Sequence, residues 1–179
     1  MEVVLIRHTS VAVPKGTCYG QTDVPVADTF EQEAAATRVA LGRYGQFDAV
    51  FSSPLTRARL LAAACGYEQP VIDDRLKEMS MGDWEMKQFD LIDDPHLKEW
   101  YDNYIEERTS GGESFQDVYR RVAAFLDEVR QRPDYTRVAV FAHGGVLMCA
   151  GLYAGLYTAD DMFDHLVPYG GILEIKIEN

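Results

Sequence analysis

Residues 3–8 have the sequence Val-Val-Leu-Ile-Arg-His, and the fold prediction starts from this stretch. Four consecutive apolar residues, most of them β-branched, predict a strand that is buried on both faces of a mainly parallel sheet. Arg7 and His8 then stand at the carboxyl end of that strand. Because ligands of open parallel sheets bind beyond the carboxyl ends of the strands, we expect both side chains to face a site.

Strand-like and helix-like segments alternate along the rest of the chain. The sequence predicts further strands at 49–52, 70–72, 137–142 and 171–177, and helices at 29–41, 55–65, 95–107, 114–129 and 146–156. Ser53 is the predicted N-cap of the second helix, with Pro54 as its first residue. Ser114 and Asp117 fit a capping box. The alternation predicts an α/β protein, a three-layer α/β/α sandwich with a mostly parallel sheet.

The composition is typical of a soluble globular protein, with 47% apolar and 26% charged residues. We expect a single domain over residues 1–179, with a small cap region at about 79–112. No apolar run is long enough to span a membrane, and Met1-Glu2 leads directly into a strand, so we expect a cytoplasmic protein. The net charge of −12 disfavours nucleic acid and membranes as partners. Three cysteines without C-x-x-C spacing indicate plain thiols and no zinc site.

Two arginines and two histidines converge on one predicted sheet edge. Arg7 and His8 end the first strand, Arg57 lies in the first turn after the second, and His143 ends a later one. Each has an ordinary structural explanation alone, as a hydrogen-bonding or solvated side chain. However, a cation gains nothing from the positive end of a helix, so the position of Arg57 is notable. The predicted tight turn His143-Gly144-Gly145 adds backbone N–H groups suited to an anion, and together these groups favour a phosphate.

Four motifs carry a resemblance to a known family. They are Arg7-His8, then Ser-Pro-Leu-Thr-Arg-Ala at 53–58, Leu-Lys-Glu-Met at 76–79, and His-Gly-Gly at 143–145. In this order and spacing they resemble the histidine phosphatase superfamily, also called the phosphoglycerate-mutase-like fold. The resemblance spans nearly the whole chain.

The resemblance implies a catalytic set of five residues. His8 would be transiently phosphorylated, Arg7, Arg57 and His143 would hold the phosphoryl oxygens, and Glu78 would protonate the leaving group. The expected reaction is a double displacement, in which a neutral ring nitrogen of His8 attacks phosphorus and water later attacks the phosphohistidine. The second ring nitrogen of His8 should donate to a backbone carbonyl. No metal or cofactor is expected.

Two further stretches resemble the alpha-ribazole phosphatases within that superfamily. They are residues 76–86, Leu-Lys-Glu-Met-Ser-Met-Gly-Asp-Trp-Glu-Met, and residues 111–115, Gly-Gly-Glu-Ser-Phe. Those enzymes remove a phosphate during assembly of the lower nucleotide loop of cobalamin, which implies a small phosphorylated substrate. Aromatic and apolar residues of the cap region could stack on its flat base, or could simply pack together: Trp84, Met86, Trp100, Tyr101 and Tyr104.

The chain departs from the family pattern beside the nucleophile. Thr9 stands where the family usually has glycine, and Pro14-Lys15 occupy the region of a family asparagine. Thr9, Lys15 or the backbone of Gly16 could replace the missing contacts. Further candidates for substrate binding are Gly144 and the loop residues Tyr19, Gly20 and Gln21.

Several alternatives remain open at this point. Asp83 and Glu85 compete with Glu78 for the acid role, while His96 and His165 are expected at the surface. The same catalytic groups would serve a phosphoglycerate-mutase-type phosphotransferase, or a phosphatase of broad specificity or of phosphoproteins. A non-catalytic module that binds a phosphorylated ligand is the alternative from another class. The oligomeric state is not predicted.

Overall fold

A five-stranded sheet forms the centre of the computed structural model, which describes residues 1–178. The strands are β1 (Glu2–Arg7), β2 (Ala49–Ser52), β3 (Val71–Ile72), β4 (Arg137–Ala142) and β5 (Ile172–Lys176). Their order in the sheet is β3-β2-β4-β1-β5. The first four run parallel, and β5 runs antiparallel to β1. The predicted mostly parallel sheet is therefore confirmed.

Helices cover both faces of this sheet. They are α1 (Phe30–Leu41), α2 (Thr56–Ala64), α3 (His96–Asp102), α4 (Phe115–Arg130) and α5 (Gly144–Tyr153). Alternate residues of β1 belong to opposite cores, because side chains of a strand alternate between the two faces. Val3 and Leu5 pack with residues of α4 and α5, whereas Val4 and Ile6 pack with residues of α1 and α2. The predicted α/β/α layering is confirmed.

The sheet register brings two chain segments together at one edge. Arg7 pairs with Ala142 across β1 and β4, so the next residues along each strand, His8 and His143, become neighbours. The N–H of His8 continues the pairing by donating to the carbonyl of Ala142 at 3.0 Å. Two histidines that are far apart in sequence therefore meet because parallel strands end at the same edge.

Helix boundaries differ from the prediction at several ends, among them the C-terminus of α5, which lies at Tyr153 and not at residue 156. Helix α2 begins at Thr56 with Leu55 as its N-cap, because the Ser53 side chain accepts from the N–H of Leu55 instead of capping the helix. The helix predicted over 95–107 ends at Asp102, where Asn103 leaves helical conformation. Helix α5 includes Gly144 in its first turn, so the predicted tight turn was wrong. The Ser114–Asp117 capping box is present, with both hydrogen bonds made.

The segment 79–112, called the cap segment below, contains α3 and two single helical turns at Gly82–Trp84 and Phe89–Leu91. Its small core consists of buried Cys18, Met81, Trp84 and Ile92, with Phe89, Leu97 and Trp100 against them. Within residues 1–178, no helix combines the length and the apolar character needed to cross a bilayer.

Candidate active site

His8 lies buried just beyond the end of β1, with 2% of its surface exposed. Its Nδ1 lies 2.7 Å from the carbonyl oxygen of Thr9, which can only accept, so Nδ1 carries the proton and Nε2 keeps its lone pair. Burial, followed by the nearby Arg57 charge, lowers the pKa of His8 to about 3, although the bond to Thr9 acts in the opposite direction. His8 is therefore neutral near pH 7, as a nucleophilic imidazole must be.

Arg57 extends from the first turn of α2 and is fully buried. Its terminal amino groups donate to the carbonyls of Thr22 and Gly20, and the centre of its guanidinium lies 5.4 Å from the centroid of the Tyr19 ring. Burial lowers its pKa, because a charge is less stable away from water. No carboxylate in residues 1–178 forms a salt bridge with Arg57; the charges of Glu78, Asp23 and Glu85 act from a longer distance and oppose the effect of burial on its pKa.

Arg7 approaches the same place from the end of β1. It donates to the carbonyl of Val167 at 2.6 Å and lies over the Tyr169 ring, 4.1 Å from its centroid. Like Arg57, it forms no salt bridge within the described chain. Gly144 permits this position, since a Cβ at residue 144 would lie 3.3 Å from the Nε of Arg7.

His143 is fully buried at the end of β4, with its ring centroid 5.1 Å from that of His8. Burial, with further contributions from His8 and Arg57, lowers its pKa well below the usual range. Its Nε2 lies 2.8 Å from the Ser53 hydroxyl, which already accepts from the N–H of Leu55. Donation from Ser53 to Nε2 would place the ring proton on Nδ1 and make that nitrogen a donor.

Unsatisfied polar atoms gather around His8. Five buried side-chain nitrogen or oxygen atoms of residues 1–178 have no hydrogen-bond partner, and four of them belong to Arg7 (Nε), Thr9 (Oγ1), Arg57 (Nε) and His143 (Nδ1). Buried polar groups are nearly always paired in folded proteins, because an unpaired group costs about 1–3 kcal/mol. Three nitrogens and a hydroxyl without partners, two of them on cations, fit an anion such as a phosphate group.

Glu78 lines the same cavity as Arg7 and His8. Its two carboxylate oxygens accept from the N–H groups of Met79, at 2.9 Å, and Gly145, at 3.1 Å. The position depends on Gly145, because a Cβ there would lie only 2.3 Å from Oε1 of Glu78. The first turn of α5 therefore holds the carboxylate at the cavity wall.

The two competing carboxylates have other surroundings. Glu85 accepts from the N–H groups of Gly20 and Gln21 and from the hydroxyl of Thr22, so it is engaged in holding the loop. Burial alone would raise the pKa of Glu85, but these hydrogen bonds keep it below the usual value. Asp83 does not line the cavity. Among the three candidates, Glu78 alone is at the wall.

The cavity beside His8 has a volume of about 590 Å³. Its lining is mostly apolar and aromatic, from Thr17, Tyr19, Met79, Met81, Phe89, Trp100, Tyr101, Tyr104, Phe115, Val118, Gly145, Met148 and Phe163. Arg7 and Glu78 are the only charged residues of this lining in the described chain. Apart from Arg7 and Glu78, the described lining therefore offers an uncharged and largely aromatic surface.

Several predicted contact residues do not line the cavity, among them Thr9, Arg57, His143 and Gly144, which are all buried. Lys15 is exposed and does not line the cavity. Trp84 is 1% exposed within the core of the cap segment, where its indole N–H donates to Asp94 at 2.7 Å, so the prediction of a substrate contact by Trp84 is not supported. Gly20 and Gln21 are also absent from the wall, but they support it: Gly20 holds Arg57 through its carbonyl, and the Gln21 side chain donates to the carbonyl of Glu78 at 3.1 Å.

Tyr169 is a residue of the site that sequence reasoning missed. Its hydroxyl lies 3.1 Å from that of Tyr19, and its ring centroid lies 5.5 Å from that of His8. The N–H of Gly170 donates to the carbonyl of His8, which fixes this loop beside the nucleophile. Antiparallel pairing of β5 explains the position, because the loop that enters an antiparallel strand lies where its parallel neighbours end. A prediction that the last strand runs antiparallel would have placed the loop of Tyr169 at the site.

Comparisons with known proteins agree with this geometry. The family model described as "Histidine phosphatase superfamily (branch 1)" matches residues 3–179. The "Putative phosphoserine phosphatase 2" of Hydrogenobacter thermophilus is 30% identical over 97% of this chain and 88% of that protein. The "Probable phosphoglycerate mutase GpmB" of Escherichia coli is 29% identical over 83% and 72%.

A solved structure shows the same fold over the whole chain. The alpha-ribazole phosphatase from Shigella flexneri superposes with a TM-score of 0.87 at 25% identity, covering 100% of this chain and 92% of that one. The relatives differ in their named substrates, so they identify the family and not the substrate. Because the family model covers all but two residues, the chain belongs to the histidine phosphatase superfamily, branch 1, as a phosphatase-type enzyme.

Proposed function

We propose that this protein is a phosphomonoesterase that forms a phosphohistidine on His8 and whose preferred substrate is alpha-ribazole 5′-phosphate. The observation that supports the chemistry is the set of unpaired buried donors around a neutral histidine with a free Nε2. Phosphoryl transfer requires of a protein mainly that it position the reacting groups and stabilise the charge on the phosphoryl oxygens. Both are provided here by protein groups.

In the first step, Nε2 of His8 attacks phosphorus in line and the ester P–O bond breaks. The N–H groups of Arg7, Arg57 and His143 donate to the phosphoryl oxygens and stabilise their charge. Glu78 in its acid form gives its proton to the leaving oxygen, so that an alcohol departs and not an alkoxide.

In the second step, water attacks the phosphohistidine. The Glu78 carboxylate accepts a proton from this water, the N–P bond breaks, and orthophosphate forms. The electron pair of that bond returns to Nε2 of His8, which is thereby restored. Because the Nδ1 proton of His8 remains bonded to the carbonyl of Thr9 throughout, the same nitrogen is available for every turnover.

The cavity wall supports the substrate class. Trp100, Tyr101 and Tyr104 supply aromatic surface, on which a flat base such as benzimidazole can stack. Phosphoglycerate and phosphoserine carry a further carboxylate, and the lining formed by residues 1–178 has no second cation to receive it once Arg7 holds the phosphate. An uncharged aromatic leaving group therefore fits better than a charged one, and the same reasoning weighs against a phosphoglycerate mutase.

A substrate panel tests the proposal. Values of kcat/KM would be compared for alpha-ribazole 5′-phosphate, 3-phosphoglycerate, phosphoserine, a sugar phosphate and a phosphotyrosine peptide. We expect the first to exceed 3-phosphoglycerate by roughly 100-fold, because an unpaired buried carboxylate costs several kcal/mol. A higher value for phosphoserine or 3-phosphoglycerate would contradict the substrate class.

The chemistry has its own test in His8→Ala. We expect loss of turnover together with loss of acid-labile phosphate on the protein, because no other group replaces the nucleophile. His96→Ala is the matched control, since His96 is bonded to Glu99 and to the carbonyl of Arg108 on the cap segment and does not line the cavity. Normal turnover by His8→Ala would refute the mechanism.

A further inference from the structure

Arg121 makes a complete set of hydrogen bonds to the segment that carries Glu78. It extends from α4, and its side chain is 17% exposed. Its Nη1 donates to the carbonyls of Arg75 and Lys77, and its Nη2 donates to the carbonyl of Glu78 at 3.1 Å. The two remaining N–H groups bond to Glu113, at 2.9 and 3.0 Å. All five donors of the guanidinium are therefore used.

Glu113 extends this arrangement to the other side of Glu78. Besides the paired bonds to Arg121, its carboxylate accepts from the N–H of Ser80 at 2.8 Å. The backbone N–H of Glu113 donates in turn to the carbonyl of Ser80 at 3.0 Å. The pair of Arg121 and Glu113 thus holds the chain immediately before and immediately after the side chain at position 78.

The held segment has no regular structure of its own. Residues 77–81 belong to neither a helix nor a strand, so no ladder of backbone hydrogen bonds fixes them. The carbonyls of Lys77 and Glu78 bond to the Arg121 side chain, which stands in for such a ladder. The planar guanidinium of arginine, with five N–H donors, can bond to several carbonyls at once, whereas the three donors of a lysine ammonium lie on a single nitrogen.

We propose that Arg121, fixed by Glu113, is a positioning residue that sets the placement of Glu78 in the cavity. The inference rests on the proposed acid and base role of Glu78. Arg121 does not line the cavity, so it acts through the backbone of residues 75–80 and not on the substrate. Loss of the pair would let the backbone shift while the groups around His8 remain, because those groups extend from β1, α2 and β4.

The test compares two leaving groups in Arg121→Lys and Glu113→Gln. The substrates are 4-nitrophenyl phosphate, whose leaving group needs little protonation, and 2-phenylethyl phosphate, whose alkoxide needs a proton. We expect kcat/KM, which reports only the steps up to departure of the leaving group, to fall about 100-fold on the alkyl ester and by less than about threefold on the aryl ester, because misplacement by 1 Å costs a reacting group about 100-fold. A merely structural role would lower both activities together.

Arg75→Lys is the matched control. Arg75 lies on the same segment and is also bonded to α4, through Glu128 at 2.8 Å, but its side chain makes no bond to Glu78 or Glu113. We expect the ratio of the two activities to stay at the wild-type value in this variant. A changed ratio in Arg75→Lys equal to that in Arg121→Lys would overturn the specific role of Arg121.

Glu78→Gln in the same assay separates the two proposals. If Glu78→Gln shows the leaving-group split and neither Arg121→Lys nor Glu113→Gln does, the positioning role is refuted while the acid role stands. If Glu78→Gln shows no split, the acid role fails and the positioning proposal fails with it. If Arg121→Lys proves unfolded by thermal denaturation, the milder Glu113→Gln decides the result.

Discussion

Gly145→Ala tests how closely the Glu78 carboxylate must approach helix α5. A Cβ at residue 145 would lie 2.3 Å from Oε1 of Glu78, against an ordinary contact of 3.4 Å or more, so the carboxylate must retreat by about 1 Å. It would thereby lose its bond from the N–H of Gly145. Since a misplacement of 1 Å can cost about 100-fold in rate, we expect kcat/KM on 2-phenylethyl phosphate, which reports the step with leaving-group protonation, to fall by about that factor.

The assay again uses the two leaving groups, because 4-nitrophenyl phosphate should lose far less activity than the alkyl ester. Folding should change little, since the clash falls on the far end of a flexible side chain in a helical position. Gly42→Ala is the control, because nothing lies within 4 Å of a Cβ there. Alkyl ester hydrolysis within about threefold of wild type in Gly145→Ala would refute the reasoning that this glycine is needed for the placement of Glu78.

Two further predictions concern stability. Trp84→Phe should lower the free energy of unfolding by about 2–3 kcal/mol, because it removes the hydrogen bond to Asp94 and buried volume. Trp100→Phe should lower it by about 1 kcal/mol or less, since the indole N–H of Trp100 has no partner in the described chain. Equal losses of the two variants in urea denaturation would contradict this prediction. Below its ordinary pKa of 6.5 the unfolded His8 takes up a proton that the folded one does not bind until about pH 3, so the free energy of unfolding should fall with acidification across that window. His8→Asn should reduce the loss between pH 7 and pH 4, and an unchanged loss in that variant would show that His8 does not contribute.

The sequence predicted those parts of the fold that local pattern controls. The apolar run of β1 and the capping box of Ser114 and Asp117 each contain their own signal, so both were confirmed. Ser53 shows the limit of such rules. Its position before Pro54 is typical of an N-cap, but its hydroxyl pairs with His143 across the sheet, and a contact 90 residues away in sequence leaves no local pattern.

The cap segment could not be predicted in detail for a related reason. Trp84 lies in a stretch without helical or strand periodicity and Trp100 in a short predicted helix, and nothing in the sequence shows which of the two rings faces the cavity. In the structure Trp100 lines the cavity, whereas Trp84 is buried in the core of the cap segment, where it packs with Met81 and Ile92. Arg121 was missed because its function depends on three backbone carbonyls, which have no sequence signature.

The absence of a salt bridge to Arg7 or Arg57 in the described chain also bears on how a catalytic cycle would end. Orthophosphate presents to these guanidinium groups the same oxygens as the ester, so the groups that hold the substrate would also retain the product. We expect such an enzyme to be inhibited competitively by its own product, because abundant orthophosphate rebinds at the guanidinium groups and excludes the ester. Its throughput would then follow the phosphate status of its surroundings without any separate regulatory site.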